Sequence, residues 1–130
     1  MENLITKTLR NEKSEIPLWF LRQAGRHIPE YFKIRKKETN FIKFCLNEEL
    51  VIESTLLPLK YYDIDAAIVF SDILMIPWAM NRNVRFTEHI GPTMDPMIPN
   101  ETKIPKNVSI SSKLKPLKNS ISHLKNKIPN

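Results

Sequence analysis

Cysteine occurs once in these 130 residues, at Cys45, which excludes an intrachain disulfide and points to a reducing compartment. A zinc cluster is disfavoured as well, because His27 and His89 have no partner at ligand spacing. Glycine is nearly as scarce. Gly25 and Gly91 are too few for a glycine-rich phosphate loop, and no serine sits in a sharp nucleophile-elbow motif. No apolar run reaches the roughly 20 residues that cross a bilayer. The first ten residues, broken by Glu2, Lys7 and Arg10, contain no continuous apolar stretch of the secretory type. A cytoplasmic protein without membrane contact is expected.

Acidic residues are outnumbered, with 14 Asp and Glu against 20 Lys and Arg, a net charge of +6 that favours an anionic partner without naming it. Much of the excess lies late, at Lys103, Lys106, Lys113, Lys115, Lys118, Lys125 and Lys127. That tail has no Phe, Trp or Tyr, whereas single-stranded nucleic-acid binders interleave aromatics with their cations. A solvated lysine face is the simpler expectation, and no nucleic-acid partner is expected. Apolar and charged contents of 42% and 26% are those of an ordinary folded domain.

The pattern along the chain predicts alternating strands and helices. Leu4, Ile5, Thr6 and Leu9 fit a short amphipathic helix, and residues 18–21 read as a buried strand entered through Pro17. Pro29 with Glu30 marks a helix start, and Phe41, Phe44 and Cys45 fall at helical spacing. Asn47 followed by Glu48 and Glu49 is a helix N-terminus, with Leu50, Leu57 and Tyr61 on one face and Pro58 as its break. Residues 65–72, apolar on both faces at their centre, predict a strand covered on each side. A short helix interrupted by Pro77 is expected over residues 73–80, and a small strand over 84–87. Residues 91–106, with Pro92, Pro96, Pro99 and Pro105, are expected to be loop. Leu114, Leu117, Ile121, Leu124 and Ile128 then define one face of a last helix, with Pro116 in its first turn and His123 on the polar side.

Two buried strands among helices predict an α/β protein with a parallel sheet, yet two strands cannot close one. The single domain over residues 1–130 is therefore expected to be a fragment of a larger fold.

Chemistry concentrates where the first strand stops. "PLWFLRQAGRH", residues 17–27, ends an apolar run in two arginines that bracket Gln-Ala-Gly. The guanidinium forks of Arg22 and Arg26 can each grip both oxygens of a carboxylate or phosphate. Gln23 adds a neutral donor and acceptor, and Gly25 permits close backbone approach or a positive φ. The plainer alternative is that each arginine caps a helix or pairs with a surface acid. Asp72, at the end of the second strand, stands where parallel α/β proteins place active-site groups, and it is equally suited to capping the following helix. With Ser71 beside it, both readings stay open.

"PLWFLRQAGRHIPEY" together with "DAAIVFSDIL" resembles the uroporphyrinogen decarboxylases. The resemblance runs from about Leu4 to the last helix and implies the N-terminal part of a (β/α)8 TIM-type barrel, incomplete in this chain. It implies an enzyme, a carboxy-lyase of porphyrin and heme biosynthesis that takes carbon dioxide from the four acetate side chains of uroporphyrinogen III to give coproporphyrinogen III. No metal or organic cofactor is implied, and the full-length enzyme would be a homodimer. By the same resemblance, Arg22 and Arg26 would bind substrate carboxylates, with Arg22 near the reacting acetate as a candidate proton donor. Gln23, Ala24 and Gly25 would shape the pocket floor. Asp72 would accept hydrogen bonds from pyrrole N–H groups and stabilise the protonated ring, and Arg35 would match a further arginine on a mobile loop. His27 stands where the family usually has tyrosine, and Met80-Asn81 replaces Leu-Gly; asparagine tolerates the left-handed turn expected there. Two alternatives are a corrinoid-dependent methyltransferase-like barrel and a non-enzymatic basic module. The first depends on zinc ligands not visible in this sequence.

Overall fold

Residues 3–13, 15–87, 90–96 and 110–128 are described by the structure, a computed structural model. Asparagines open three of its helices. Asn3 Oδ1 accepts the Ile5 N–H at 3.0 Å before α1 (Leu4–Leu9), and Asn40 Oδ1 accepts that of Lys43 at 3.0 Å before α3 (Phe41–Cys45). Asn47 does the same for Leu50 at 3.0 Å, opening α4 (Glu48–Leu56), whose first turn holds Glu48 and Glu49 as the sequence predicts. Pro29 opens α2 (Pro29–Arg35) from its first turn.

Two helices end on asparagines in the left-handed region. After α1, Asn11 has φ 57°, and the Glu12 N–H reaches back to the Lys7 carbonyl at 3.0 Å. After α5 (Met75–Ala79), Asn81 has φ 63°, and the Arg82 N–H donates to the Pro77 carbonyl at 3.0 Å. Asn81 thus makes the turn expected of it. Pro77 does not interrupt α5, because it lies in the first turn, where its missing N–H has no intrahelical acceptor to lose.

The expected loop after residue 90 is corrected over its first four residues. β1 (Val84–Thr87) pairs antiparallel with β2 (Gly91–Met94), Val84 opposite Met94 and Thr87 opposite Gly91. Pro92 is tolerated because a two-stranded ribbon is all edge, where a proline lacking N–H can face away from the ladder. Gly91 has φ +89°, a value side-chain-bearing residues rarely adopt. The rest of that expected loop, and His89, lie outside the described residues.

The two segments read as buried strands belong to no ladder among the described residues and are irregular, with bends at Leu21, Asp65 and Phe70. Leu18, Trp19 and Phe20 are about half exposed and Leu21 is 80% exposed. No neighbouring strand among the described residues covers their apolar faces, although the Phe20 ring meets that of Tyr62 edge-on, with centres 6.4 Å apart. Residues 65–72 are half-buried and are held mainly by side chains. Asn3 Nδ2 donates to the Asp65 carbonyl at 2.8 Å, and Thr55 Oγ1 accepts the Phe70 N–H at 2.9 Å. Leu18 and Asp65 exchange two bonds, Asp65 N–H to the Leu18 carbonyl at 2.8 Å and Leu18 N–H to Asp65 Oδ2 at 2.7 Å. The described elements make a mixed α/β fold with one small sheet.

At the centre is α4, packed by α2 and α3 and, on another side, by α7 (Lys115–Lys125), which follows α6 (Ile110–Lys113). Ile28, Tyr31, Ile34, Phe44, Leu50 and Leu57 form the core, with Phe70 against it. Tyr61 leaves the face it shares with Leu50 and Leu57 on a continuous helix, since a 3-10 turn over Pro58–Lys60 changes the rotation per residue. In α7, Pro116 lies in the first turn as expected, but Ser120 and Leu124 are the buried residues and Ile121 is exposed. The small Ser120 lets α7 lie close, and its hydroxyl donates to the Pro116 carbonyl at 3.0 Å.

Candidate functional site

The arginine segment follows residues 18–21 directly, after a bend at Leu21. Arg22 and Arg26 are both exposed, and neither makes a hydrogen bond or ion pair among the described residues. Their forks are therefore uncommitted, unlike the caps or surface pairs of the plainer reading. Between them Gln23 is buried, its amide turned toward residues 66 and 68. Gly25 does not take the positive φ the sequence allowed for, and a Cβ there would meet the His27 ring at ordinary distances, 3.5 Å to Nδ1 and 3.8 Å to Cε1. The Ile28 N–H closes the turn onto the Gly25 carbonyl at 3.0 Å and leads into α2.

Beyond that turn opens a cleft of about 780 Å³ lined by Arg26, Arg35, Lys36 and Asp72 among others, with Phe41 and Phe86 on its apolar side. Phe41 and Phe86 have ring centres 4.6 Å apart, so the β-ribbon forms one wall of the cleft. Arg35 is the last residue of α2 and not part of a loop, which corrects that expectation. Its guanidinium donates to the Glu38 and Thr39 carbonyls, the latter at 2.8 Å, and lies 5.4 Å and 5.3 Å from the ring centres of Phe41 and Phe44. That geometry fixes its position and ties up part of its fork.

Asp72 is half-buried, and its Oδ1 accepts the Leu74 N–H at 2.8 Å. The other carboxylate oxygen has no hydrogen-bond partner among the described residues. The capping reading is thus met by one oxygen, which anchors the turn into α5, while the other oxygen is not used by the cap. Two neighbours register the surrounding charges. Burial raises the Tyr31 hydroxyl pKa, against the opposing pull of Arg35 and Arg26. Burial, then the charge of Asp72, pushes the Cys45 thiol up to about 12, with Arg35 opposing.

Arg26, Arg35 and Asp72, which stand up to 46 residues apart in the sequence, meet around one cleft. Arg22, Gln23, Ala24 and Gly25 are not among its lining residues. Sequence reasoning overlooks Lys36, a further cation in the lining, although its position next to Arg35 at a helix end is a usable signal. It also overlooks Asn3, Thr55 and Asp65, whose bonds to distant backbone leave no local pattern. No group of three His, Cys, Asp or Glu side chains suited to a metal ion occurs among the described residues, and no helix there is long and apolar enough to cross a membrane.

A family model described as uroporphyrinogen decarboxylase (URO-D) matches residues 1–130. Among curated proteins, the uroporphyrinogen decarboxylase of Chelativorans sp. (strain BNC1) is 43% identical over 112 residues, covering 86% of this chain and 33% of that protein. That of Rickettsia felis is 49% identical over 90 residues, covering 69% of this chain and 26% of that protein. The Sinorhizobium fredii protein of the same name is 44% identical over 113 residues, or 87% of this chain and 33% of that one. The chain spans about a third or less of the length of these curated relatives.

Proposed function

The chain belongs to the uroporphyrinogen decarboxylase family, and from that premise we propose that it supplies the N-terminal part of a (β/α)8 barrel that decarboxylates the four acetate side chains of uroporphyrinogen to give coproporphyrinogen. The observation that carries this reading is the meeting of Arg26, Arg35 and Asp72 around one cleft; the fork of Arg22, outside that lining, is uncommitted as well. A substrate with many carboxylates suits arginine forks. Its pyrrole N–H groups converge on the macrocycle centre, where a single acid among bases is useful.

The roles are those that the family resemblance implies for these positions. Arg26 binds substrate carboxylates, and Arg22 holds the reacting acetate and is the candidate proton donor. Protonation of a pyrrole carbon makes the ring an electron sink. The bond to the carboxylate then breaks, carbon dioxide leaves, and its bonding pair flows into the ring; the exocyclic methylene so formed takes up a proton to become the methyl group, and the ring carbon gives back the proton it had gained. Asp72 accepts pyrrole N–H bonds and stabilises the cation formed on protonation, as a preorganised charge does without reorganising at the moment of reaction. For the whole protein this reading carries the rest of the family resemblance: no cofactor, a homodimer, and a place in the cytoplasm.

Asp72→Asn tests it in a whole-length enzyme in which this chain is completed by the C-terminal remainder of a curated relative. Asparagine keeps an oxygen for the Leu74 N–H, so the melting temperature should move little. Turnover should fall by about 10²–10³ through loss of one preorganised charge. Near-parental turnover would reduce Asp72 to a helix cap.

A further inference from the structure

The amide of Gln23 is almost wholly removed from solvent, at 4% exposure, and both of its ends are used on one segment. Nε2 donates to the Ala66 carbonyl at 2.7 Å, and Oε1 accepts the Ile68 N–H at 2.7 Å. One donor and one acceptor addressed to residues two apart is what a neighbouring strand offers a β-strand. Here a side chain supplies it. The recipient segment has no ladder partner among the described residues, so its buried backbone groups depend on such substitutes. Between the Leu18–Asp65 exchange and the Thr55 bond to Phe70, Gln23 is the tie that reaches residues 66–68 from the arginine segment. Gln23 directly follows Arg22 and precedes Arg26 by three residues; Asp72 lies four beyond Ile68.

We propose that Gln23 is a positioning residue: its amide sets the distance between the arginine segment and the Asp72 segment, and it does not touch the substrate. This rests on reading the cleft as a decarboxylase site. The requirement is directional. An ionised glutamate would place an oxygen against the Ala66 carbonyl and repel it, whereas a protonated glutamic acid restores a donor and an acceptor in nearly the same places. Leucine fills the volume and restores neither.

The test uses the completed enzyme described above, with Gln23→Glu and Gln23→Leu measured between pH 5 and pH 8, each as a ratio to the parent at the same pH. The expected result is a Gln23→Glu kcat about tenfold or more below parent at pH 8 that recovers as pH falls, with KM for uroporphyrinogen little changed. Gln23→Leu should be low throughout. Hydrogen exchange at the Ile68 amide should follow the same order, protected in the parent and at low pH in Gln23→Glu, and unprotected in Gln23→Leu. A folded Gln23→Leu enzyme with parental kcat overturns the proposal, as does a change confined to KM, which would mark a substrate contact. Should Gln23→Leu fail to fold, a pH-independent Gln23→Glu ratio overturns it instead. An inactive parent would defeat the decarboxylase reading, and Ile68 exchange alone would then decide for or against the tie.

Discussion

Cys45 shows how an interior position controls one side chain's chemistry. It is fully buried at the end of α3, and its thiol is raised from an ordinary 9.0 to about 12, first by burial and then by the charge of Asp72. A raised pKa in the folded state means that the proton is held more tightly there than in the unfolded chain. The associated stability is therefore fully present below about pH 9 and is lost as pH rises toward 12. At pH 8 the folded protein should resist iodoacetamide, while the same protein in urea is alkylated at the rate of an ordinary thiol. Equal labelling in both conditions would contradict the buried placement. The sequence shows Cys45 at helical spacing with Phe41 and Phe44; its proximity to Asp72, 27 residues away, exists only in the fold.

At the scale of the element, short helices depend on their ends. α4 has nine residues, and its N-terminus rests on Asn47, while its buried side carries Leu50, Val51, Ile52, Ser54 and Thr55 against several neighbours. Asn47→Ala in the completed enzyme should cost about 1 kcal/mol, the usual worth of such a cap, whereas Asn47→Asp keeps the acceptor and should cost little. Thermal melting of the two variants checks the difference; equal losses would mean that packing alone holds α4. Boundaries of this kind were legible because they rest on local chemistry: Pro29, Asn47, Pro116 and the left-handed Asn81 all stand where the sequence puts them. The pairing of β1 with β2 was not legible, since Pro92 argues against a strand unless the strand is known to be an edge.

For the molecule as a whole, the uncovered apolar surface is decisive. Leu18, Trp19, Phe20, Leu21, Ile73 and Ile76 are all substantially exposed, although the sequence reads the first four as interior. Exposed apolar side chains on segments whose backbone pairs with no strand invite association. The 130-residue chain by itself should therefore self-associate despite its net charge of +6 and show no decarboxylase activity. Sedimentation over a range of concentrations, with coproporphyrinogen formation assayed on the same sample, checks both. A monomer that melts cooperatively and forms product would refute this expectation.

What the sequence determined by itself is what neighbours in the chain decide: helix starts and stops, the left-handed turn at Asn81, and the run Arg22-Gln23-Ala24-Gly25-Arg26 with its chemical character. Only the tertiary structure decided that Arg26, Arg35 and Asp72 share a cleft, that Arg35 is clamped by two carbonyls and two rings, and that Gln23 is used on Ala66 and Ile68. The physical reason is the range of the interactions. Caps and turns are made within five residues and leave a local pattern, whereas a buried amide must find whichever backbone the fold brings within hydrogen-bonding reach, here 43 to 45 residues away.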